Sequence, residues 1–553
     1  MTLTLWAAAV IALLGVLILA HELGHFLVAK LFGVKVLRFS LGFGPRLFGF
    51  TAGATEYRVS LFPLGGYLRI LGEDPSETVP EPELARALSA RPLWQRYAIV
   101  IAGPLFNLLL PVGIYFVHYM GQKTLLSPTI GTVIAGLPAD KAGLLPGDRV
   151  ETVDGRSIDY WEELEQIIAD APGKTMRFGI RRGSVAEERD VTAVASARKG
   201  PLNLNETVGW IGVSPRFQLP EIGIIDLTSP AAQAGLRTFD YIISVNGSPV
   251  SHWAEFERAV ARIGASPLRI TYLRGTHSAV PFVHVELQQP GSAVVLPQPM
   301  LDQGRNRHYA TGIEPSELFV YSVEPGSPAD RIGLRRGDQL IELDGQPLLH
   351  WNILHQRLAA EPDKTFAISW VSPGGVKHQA SFKQELRAEI DAYRQEEQRL
   401  VFGASNRAAW KTAEPVPIRN HLSYALGHAL TRTGEIITFT AQGLFQIIRG
   451  EISPKTLGGP LTIGYAAGVA AEQGLAQYLW LMALLSINIG LLNFLPIPIL
   501  DGGLLLFFSI ELFKRRPPSP RARAVTTYIG VVVVALLVLF ALKNDVVRFF
   551  LPR

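Results

Sequence analysis

The 553-residue chain contains no cysteine, which excludes disulfides, thiolate nucleophiles and cysteine-ligated metals. Charge is scarce as well: Asp, Glu, Lys and Arg make up 18% of the residues, against roughly 25% in ordinary soluble domains. The net charge of +4 is too small and too dispersed to mark a nucleic-acid surface. A Gly-x-Ser-x-Gly elbow is missing, so a serine hydrolase has no support. What remains is an apolar chain, 48% hydrophobic, long enough for three or four units at about 150 residues each.

Four stretches lack Asp, Glu, Lys and Arg altogether: Met1 to Ala20, Tyr97 to Met120, Tyr478 to Leu500 and Ala524 to Leu542. Each is close to the ~20 residues with which a helix crosses a bilayer. The first has no basic n-region, and ionisable residues follow where a signal peptide would be cleaved, so it is expected to be a retained span. Lys30, Lys35 and Arg38 follow span one, and Arg91 and Arg96 precede span two. Lys514, Arg515, Arg516, Arg521 and Arg523 crowd the connection between spans three and four. The positive-inside rule places both connections in the cytoplasm. The N-terminus and the segment from about 121 to 477 then lie outside. Lys543, Arg548 and Arg553 run against this orientation but are outweighed by the two connections.

The long outer segment repeats itself three times. Pro138-Ala-Asp-Lys-Ala-Gly-Leu, Pro230-Ala-Ala-Gln-Ala-Gly-Leu and Pro328-Ala-Asp-Arg-Ile-Gly-Leu each lead to an Asp ten residues after the Pro: Asp148, Asp240, Asp338. An Asx-Gly pair follows six residues later (Asp154-Gly155, Asn246-Gly247, Asp344-Gly345), and a Trp thirteen after the Asp (Trp161, Trp253, Trp351). Alternating apolar residues before Asx-Gly predict a tight hairpin, and a helix is expected after each Trp. The pattern resembles PDZ domains of bacterial proteases, which bind extended peptides by strand addition. The resemblance implies peptide or substrate gating; a plain spacer is the alternative. Glu385 to Arg399 reads as a solvated helix or linker, and Ile436 to Ile448 as a segment on the membrane surface.

The chemistry concentrates in His21-Glu22-Leu23-Gly24-His25, at the end of the first apolar run. Two His at i and i+4 share one helix face and can reach one zinc, while Glu22 on the adjacent edge can take the proton of an attacking water. Ionisable residues inside a span are costly, and their presence points to function rather than to a buried His pair. Catalytic zinc usually has three protein ligands. Span three ends in Asn493-Phe-Leu-Pro-Ile-Pro-Ile-Leu-Asp501-Gly-Gly, and Asp501 is the one acid near that depth. Pro496 and Pro498 should break the helix there; a mere helix-ending Asp-Gly turn is the alternative.

Together, His-Glu-x-x-His in span one and Asn-x-x-Pro-x-Pro-x-Leu-Asp-Gly in span three resemble the paired signature of site-2 proteases, zinc metalloproteases that cleave inside the membrane. Phe39-Ser-Leu-Gly-Phe-Gly-Pro, Leu61-Phe-Pro-Leu-Gly-Gly-Tyr67, Ala102-Gly-Pro-Leu-Phe-Asn107 and Gly459-Pro-Leu-Thr-Ile463 are similar to the same family, and within it to the bacterial regulators of sigma factors. That branch typically carries two tandem PDZ domains, whereas three copies stand here. The resemblance implies one zinc ion held by His21, His25 and Asp501, with Glu22 as general base. It implies Asn493 as a contact to the substrate backbone or developing oxyanion, and a membrane-dipping β-hairpin. That hairpin, built from Glu56–Leu61 and Gly65–Ile70, would offer substrate an edge around Gly65 and Gly66.

The expected architecture is therefore a polytopic α-helical membrane protein. It has about four transmembrane helices and the β-hairpin, with an inserted extracytoplasmic array of three PDZ-like α+β domains. The divisions are 1–120 (first membrane half), 128–215, 216–315 and 316–405 (PDZ-like copies), 406–477 (amphipathic surface linker) and 478–553 (second membrane half). The implied setting is the bacterial inner membrane, with the copies periplasmic and the active site toward the cytoplasm. Implied partners are membrane lipid and single-span substrates such as a cleaved anti-sigma factor or remnant signal peptides, without nucleic acid. A membrane-anchored PDZ scaffold with a structural or vestigial metal site is the alternative, and Glu22 between the histidines speaks against it. A metal or ion transporter fits four spans and a bulky triple repeat poorly.

Overall fold

The computed structural model describes residues 3–73, 79–199, 205–277, 286–301, 307–390, 396–407, 410–454, 457–516 and 518–550. Two compact units emerge. The first comprises Met1–Lys123, Ile390–Glu396 and Ile418–Arg553; the second comprises Thr124–Glu389 and Glu397–Pro417.

The first unit is built from α1 (Leu3–Leu31), β1 (Val36–Ala52), β2 (Thr55–Ile70), α2 (Leu93–Gly121), α3 (His421–Arg449), α4 (Pro460–Gln473), α5 (Leu475–Asn493), α6 (Asp501–Lys514) and α7 (Pro520–Phe550). Thr4–Leu31, Leu93–Gly121, Leu475–Asn493 and Arg521–Phe550 are long and apolar enough to cross a membrane, and the chain is a polytopic membrane protein. The bundle centre is small and tight: Leu13, Leu17, Tyr115, Ala429, Ala467 and Ala483 are buried together. Leu536 and Leu539 on α7 are more than half exposed, as a lipid-facing surface requires.

α2 runs through Pro104 and Pro111 without ending. Pro111 has no N–H for the carbonyl of Asn107, four residues back, and Ser486 Oγ on α5 donates to that carbonyl at 2.7 Å instead. A neighbouring hydroxyl thus supplies the bond that proline removes.

The β-hairpin differs from the expected one. Glu56–Leu61 and Gly65–Ile70 do not pair with each other. The start of β1 inserts between them, so that Phe39 faces both Tyr57 and Leu68, and Leu41 both Val59 and Gly66. β1 then folds back, pairing Phe48 with Val59 and Phe50 with Tyr57. Gly66–Ile70 is therefore an edge, while Ser60 is interior, its hydroxyl 3.2 Å from Ser40 Oγ. Aromatic and β-branched residues on both halves make either pairing acceptable locally, and only the β1 register decides between them.

Three further helices stand where the sequence predicts connections. The stretch expected to be a surface linker contains α3, which packs on α2 and α5, and α4, which packs on α1, α5 and α7. The basic connection between spans three and four contains α6. Glu385 to Arg399 is another correction: Glu385–Ile390 and Glu396–Val401 are strands, not a helix, with residues 391–395 outside the described set. Glu, Arg and Gln favour a helix intrinsically, but propensity is a weak determinant that strand pairing overrides here.

In the second unit the three copies share one strand order. In the first, Arg156–Ser157, Arg149–Val153, Thr175–Arg182 and Val185–Thr192 are neighbours in that sequence, and the other two copies repeat it. Each has its own core and a helix starting at its Trp. The repeated Asx sits at φ 50°, 51° and 53°, the left-handed turn conformation Asx tolerates. Its side chain accepts from a backbone N–H 23 residues on, at Arg177, Arg269 and Ala367. The buried Asp148 and Asp240 each take a two-pronged bond from an arginine 34 residues on, Arg182 and Arg274. In the third copy Ser372 stands at that position and donates to Asp338 at 2.7 Å.

Candidate active site

His21 and His25 lie one turn apart on the face of α1 that meets α2. Glycine makes the approach possible. A Cβ on Gly24 would lie 2.2 Å from the carbonyl oxygen of Ala102, and one on Gly103 would lie 2.2 Å from His25 Nε2. α5 ends at Asn493, the chain doubles back through the two prolines, and α6 begins at Asp501. The turn is so tight that a Cβ on Gly502 would lie 2.0 Å from Leu495 O. Asp501 occupies the first turn of α6, where a negative charge complements the helix dipole.

These three residues converge. His21 Nε2 is 3.1 Å from Asp501 Oδ2, His25 Nε2 is 3.5 Å from Asp501 Oδ1, and the two Nε2 atoms are 3.2 Å apart. Ligands about 2.0–2.1 Å from a tetrahedral zinc stand roughly 3.3 Å from one another, so the triangle has the right size. Two imidazole nitrogens and a carboxylate also match the donor chemistry of catalytic zinc. Among the described residues this is the one such His/Asp/Glu group.

Glu22 is half-buried, within electrostatic reach of His21, His25 and Asp501, and accepts a hydrogen bond from the backbone N–H of Leu68 on the edge strand. Gly66 sits beside it: a Cβ there would meet Ile18 Cγ2 at 2.8 Å, Ser40 O at 2.9 Å and Glu22 Cγ at 3.6 Å. Gly65 instead abuts the Phe43 ring. Asn493 closes α5 eight residues before Asp501 and makes none of the described hydrogen bonds to the triad.

Several supporting groups escaped the sequence reading. His25 Nδ1 lies 2.8 Å from the carbonyl of Ile99, and the amide of Asn107 lies 3.4 Å from His21 Nδ1. α6 is fastened to α2 by Arg96, which donates to both carboxylate oxygens of Glu511 at 3.1 and 2.5 Å, and by a 2.7 Å contact between Tyr97 OH and Ser509 Oγ. A signal existed for Asn107: it is a polar residue in a charge-free run, four residues after Gly103, matching the four-residue step from His21 to His25 on an antiparallel neighbour.

In the second unit a cavity of about 1400 Å³ is lined by Trp161, Trp210, Trp351, Trp410, Glu317 and His350, among others. Glu317 Oε1 is 3.1 Å from His350 Nδ1 and accepts from the Trp351 N–H at 3.0 Å. Burial pushes the Glu317 carboxyl up to about 7 and His350 down to about 4.

Residues 9–537 match the family described as Peptidase family M50. A Ralstonia nicotianae protein named "Putative zinc metalloprotease RSc1411" is 30% identical over 549 residues, covering 98% of each chain. The regulator of sigma-E protease RseP of Escherichia coli is 28% identical over 550 residues, covering 98% of this chain and 99% of its own. The same-named protein of Salmonella typhimurium is 27% identical over 552 residues, covering 98% of this chain and 99% of its own. A solved PDZ domain protein from Parabacteroides distasonis covers 51% of this chain and 95% of its own at 10% identity and a TM-score of 0.13, a likeness that carries no argument.

Proposed function

Because the chain belongs to peptidase family M50, the site-2 proteases, we propose that it hydrolyses peptide bonds of single-span membrane proteins within the bilayer. In this reading His21, His25 and Asp501 hold one zinc ion and Glu22 is the general base. The observation that carries it is the triangle of 3.1, 3.2 and 3.5 Å between the three ligand atoms. When bound, the ion supplies Lewis acidity to a carbonyl oxygen and acidifies water beside it. Glu22 takes a proton from the attacking water and returns it to the leaving amine nitrogen as the C–N bond breaks. The Leu68 N–H holds the Glu22 carboxylate in place meanwhile.

A helical substrate protects its carbonyls, so it must unwind before hydrolysis. The Gly66–Ile70 edge adjoins Glu22 and is suited to capture the unwound segment by strand addition, with Gly65 and Gly66 at its start, where the lack of side chains lets the strand pack closely on Phe43, Ile18 and Ser40. Asn493 is assigned as a further polar contact to the substrate backbone or developing oxyanion.

The relatives named as regulators of sigma-E protease support substrates of the anti-sigma-factor type, cut first outside the membrane, with remnant signal peptides as a second class. The setting is the inner membrane, with the second unit periplasmic and the active site toward the cytoplasm. The three modules, each a four-stranded sheet with a helix led by Trp, act as PDZ-like gates, and the tryptophan-lined cavity is their substrate-facing space. Removing 128–405 from the protein and assaying uncut against pre-cut reporter in membranes tests the gate. Uncut substrate should then be cleaved; unchanged selectivity would refute gating.

A further inference from the structure

We infer that Asn107 is a positioning residue of the metal site. It accepts a hydrogen bond from His21 Nδ1–H and so holds that imidazole with Nε2 bare toward Asp501. The inference rests on the zinc reading above. Asn107 is 0% exposed, in a stretch of α2 where a buried amide is costly unless its polar atoms are bonded. In the structure its Nδ2 faces His21 Nδ1 at 3.4 Å while Oδ1 is buried without a hydrogen-bond partner.

That arrangement conflicts with metal ligation. A neutral imidazole carries one proton; if Nε2 binds a metal, the proton is on Nδ1, and two donors would face each other. Carboxamide oxygen and nitrogen have nearly the same shape, and a half-turn of the side-chain amide exchanges them. Oδ1 then meets Nδ1–H and the donor-to-donor clash is removed, with Nδ2 taking the place where Oδ1 lacks a partner. His25 follows the same logic, its Nδ1–H donating to Ile99 O at 2.8 Å. One face of α2 therefore fixes both tautomers, as outer partners of metal-bound histidines commonly do.

The placement of Asn107 is itself well determined. Its carbonyl, released by Pro111, receives Ser486 Oγ at 2.7 Å. Four residues earlier Gly103 leaves room for His25. The step from Gly103 to Asn107 thus matches the step from His25 back to His21.

The test uses full-length protein in detergent. Zinc affinity is measured by chelator competition, and ligand geometry by the visible absorption of the cobalt form. Asn107→Leu keeps the approximate shape and removes the acceptor; Asn107→Asp keeps an acceptor oxygen. Wild type and Asn107→Asp should bind zinc with similar affinity, and Asn107→Leu about 10–100-fold more weakly with an altered cobalt spectrum. Unchanged affinity in Asn107→Leu would overturn the inference, as would equal losses in both variants, which would indicate packing rather than an acceptor. If wild type binds no divalent ion, the zinc reading itself fails, a result distinguishable from either.

Discussion

The His25 ring fills the space that a side chain at residue 103 would need: a Cβ on Gly103 would lie 2.2 Å from His25 Nε2. The glycine is a spatial requirement of the proposed metal site rather than of the helix. Gly103→Ala should improve intrinsic helix propensity yet drive the imidazole out of the ligand triangle. We predict at least a tenfold loss of zinc affinity with helix content unchanged, measured by chelator competition and circular dichroism. Normal zinc binding in this variant would contradict the close packing of α1 and α2.

The edge strand beside Glu22 makes a separate prediction. A methyl at Gly66 would press on Ile18 and on the carbonyl of Ser40, shifting the strand that presents the Leu68 N–H. Gly66→Ala should reduce cleavage of a membrane reporter by about tenfold or more, the scale of a misplaced positioning group, while zinc content stays at the wild-type level. Full activity would remove the edge from the mechanism.

Arg96 and Glu511, each about 15% exposed, hold the helix that begins with Asp501. Glu511→Gln leaves the guanidinium bonded to a neutral group. The expected loss is about 2 kcal/mol, the range for a hydrogen bond to a charged group. It should appear as a lowered thermal midpoint of the detergent-solubilised protein, with Asp501 still able to bind metal.

The Glu317–His350 contact should make the second unit respond to pH in a defined way. Glu317 is raised to about 7, so the folded chain keeps a proton that the unfolded chain releases near pH 4.3, and stability falls as pH rises from about 4.3 to 7. His350 is lowered to about 4, so the unfolded chain holds the extra proton, and stability falls as pH drops from about 6.5 to 4. Between about 4.5 and 6.5 the two trends cancel. Glu317→Gln should expose the rising trend and His350→Gln the falling one, each approaching 1.4 kcal/mol per pH unit. Hydrogen exchange at the Trp351 amide, which donates to Glu317, and at the Asn352 amide, which donates to His350 Nδ1 at 3.1 Å, corrected for intrinsic rate, measures both; flat profiles in both variants would refute the assignment.

Much of this was legible in the residues. Charge-free runs of helix length located the four long apolar helices, because the 20-residue requirement is severe. The Pro–Asp–Asx-Gly–Trp spacing located three modules, because each residue serves a distinct turn, clamp or core position. The proposed ligand residues, which the structure brings together, stand out in the sequence because ionisable groups inside an apolar run are expensive. Pairing was not legible. Gly65–Ile70 and Glu56–Leu61 are plausible partners by composition, and the insertion of β1 between them depends on long-range register. Nor was α6 visible, since the basic cluster at its end reads as a loop. Asn107 ends the Ala102–Asn107 motif, but its role depends on which residue of α1 it opposes, and that is a property of helix packing.

The central claim is that Glu22 moves protons at a zinc centre. The most direct measurement compares wild type with Glu22→Gln on a truncated single-span reporter, in membranes at matched expression, with bound zinc quantified. The account predicts cleavage by wild type, a loss of at least about 10²- to 10⁴-fold in the variant, and equal zinc in both. Equal cleavage by the two proteins would contradict it.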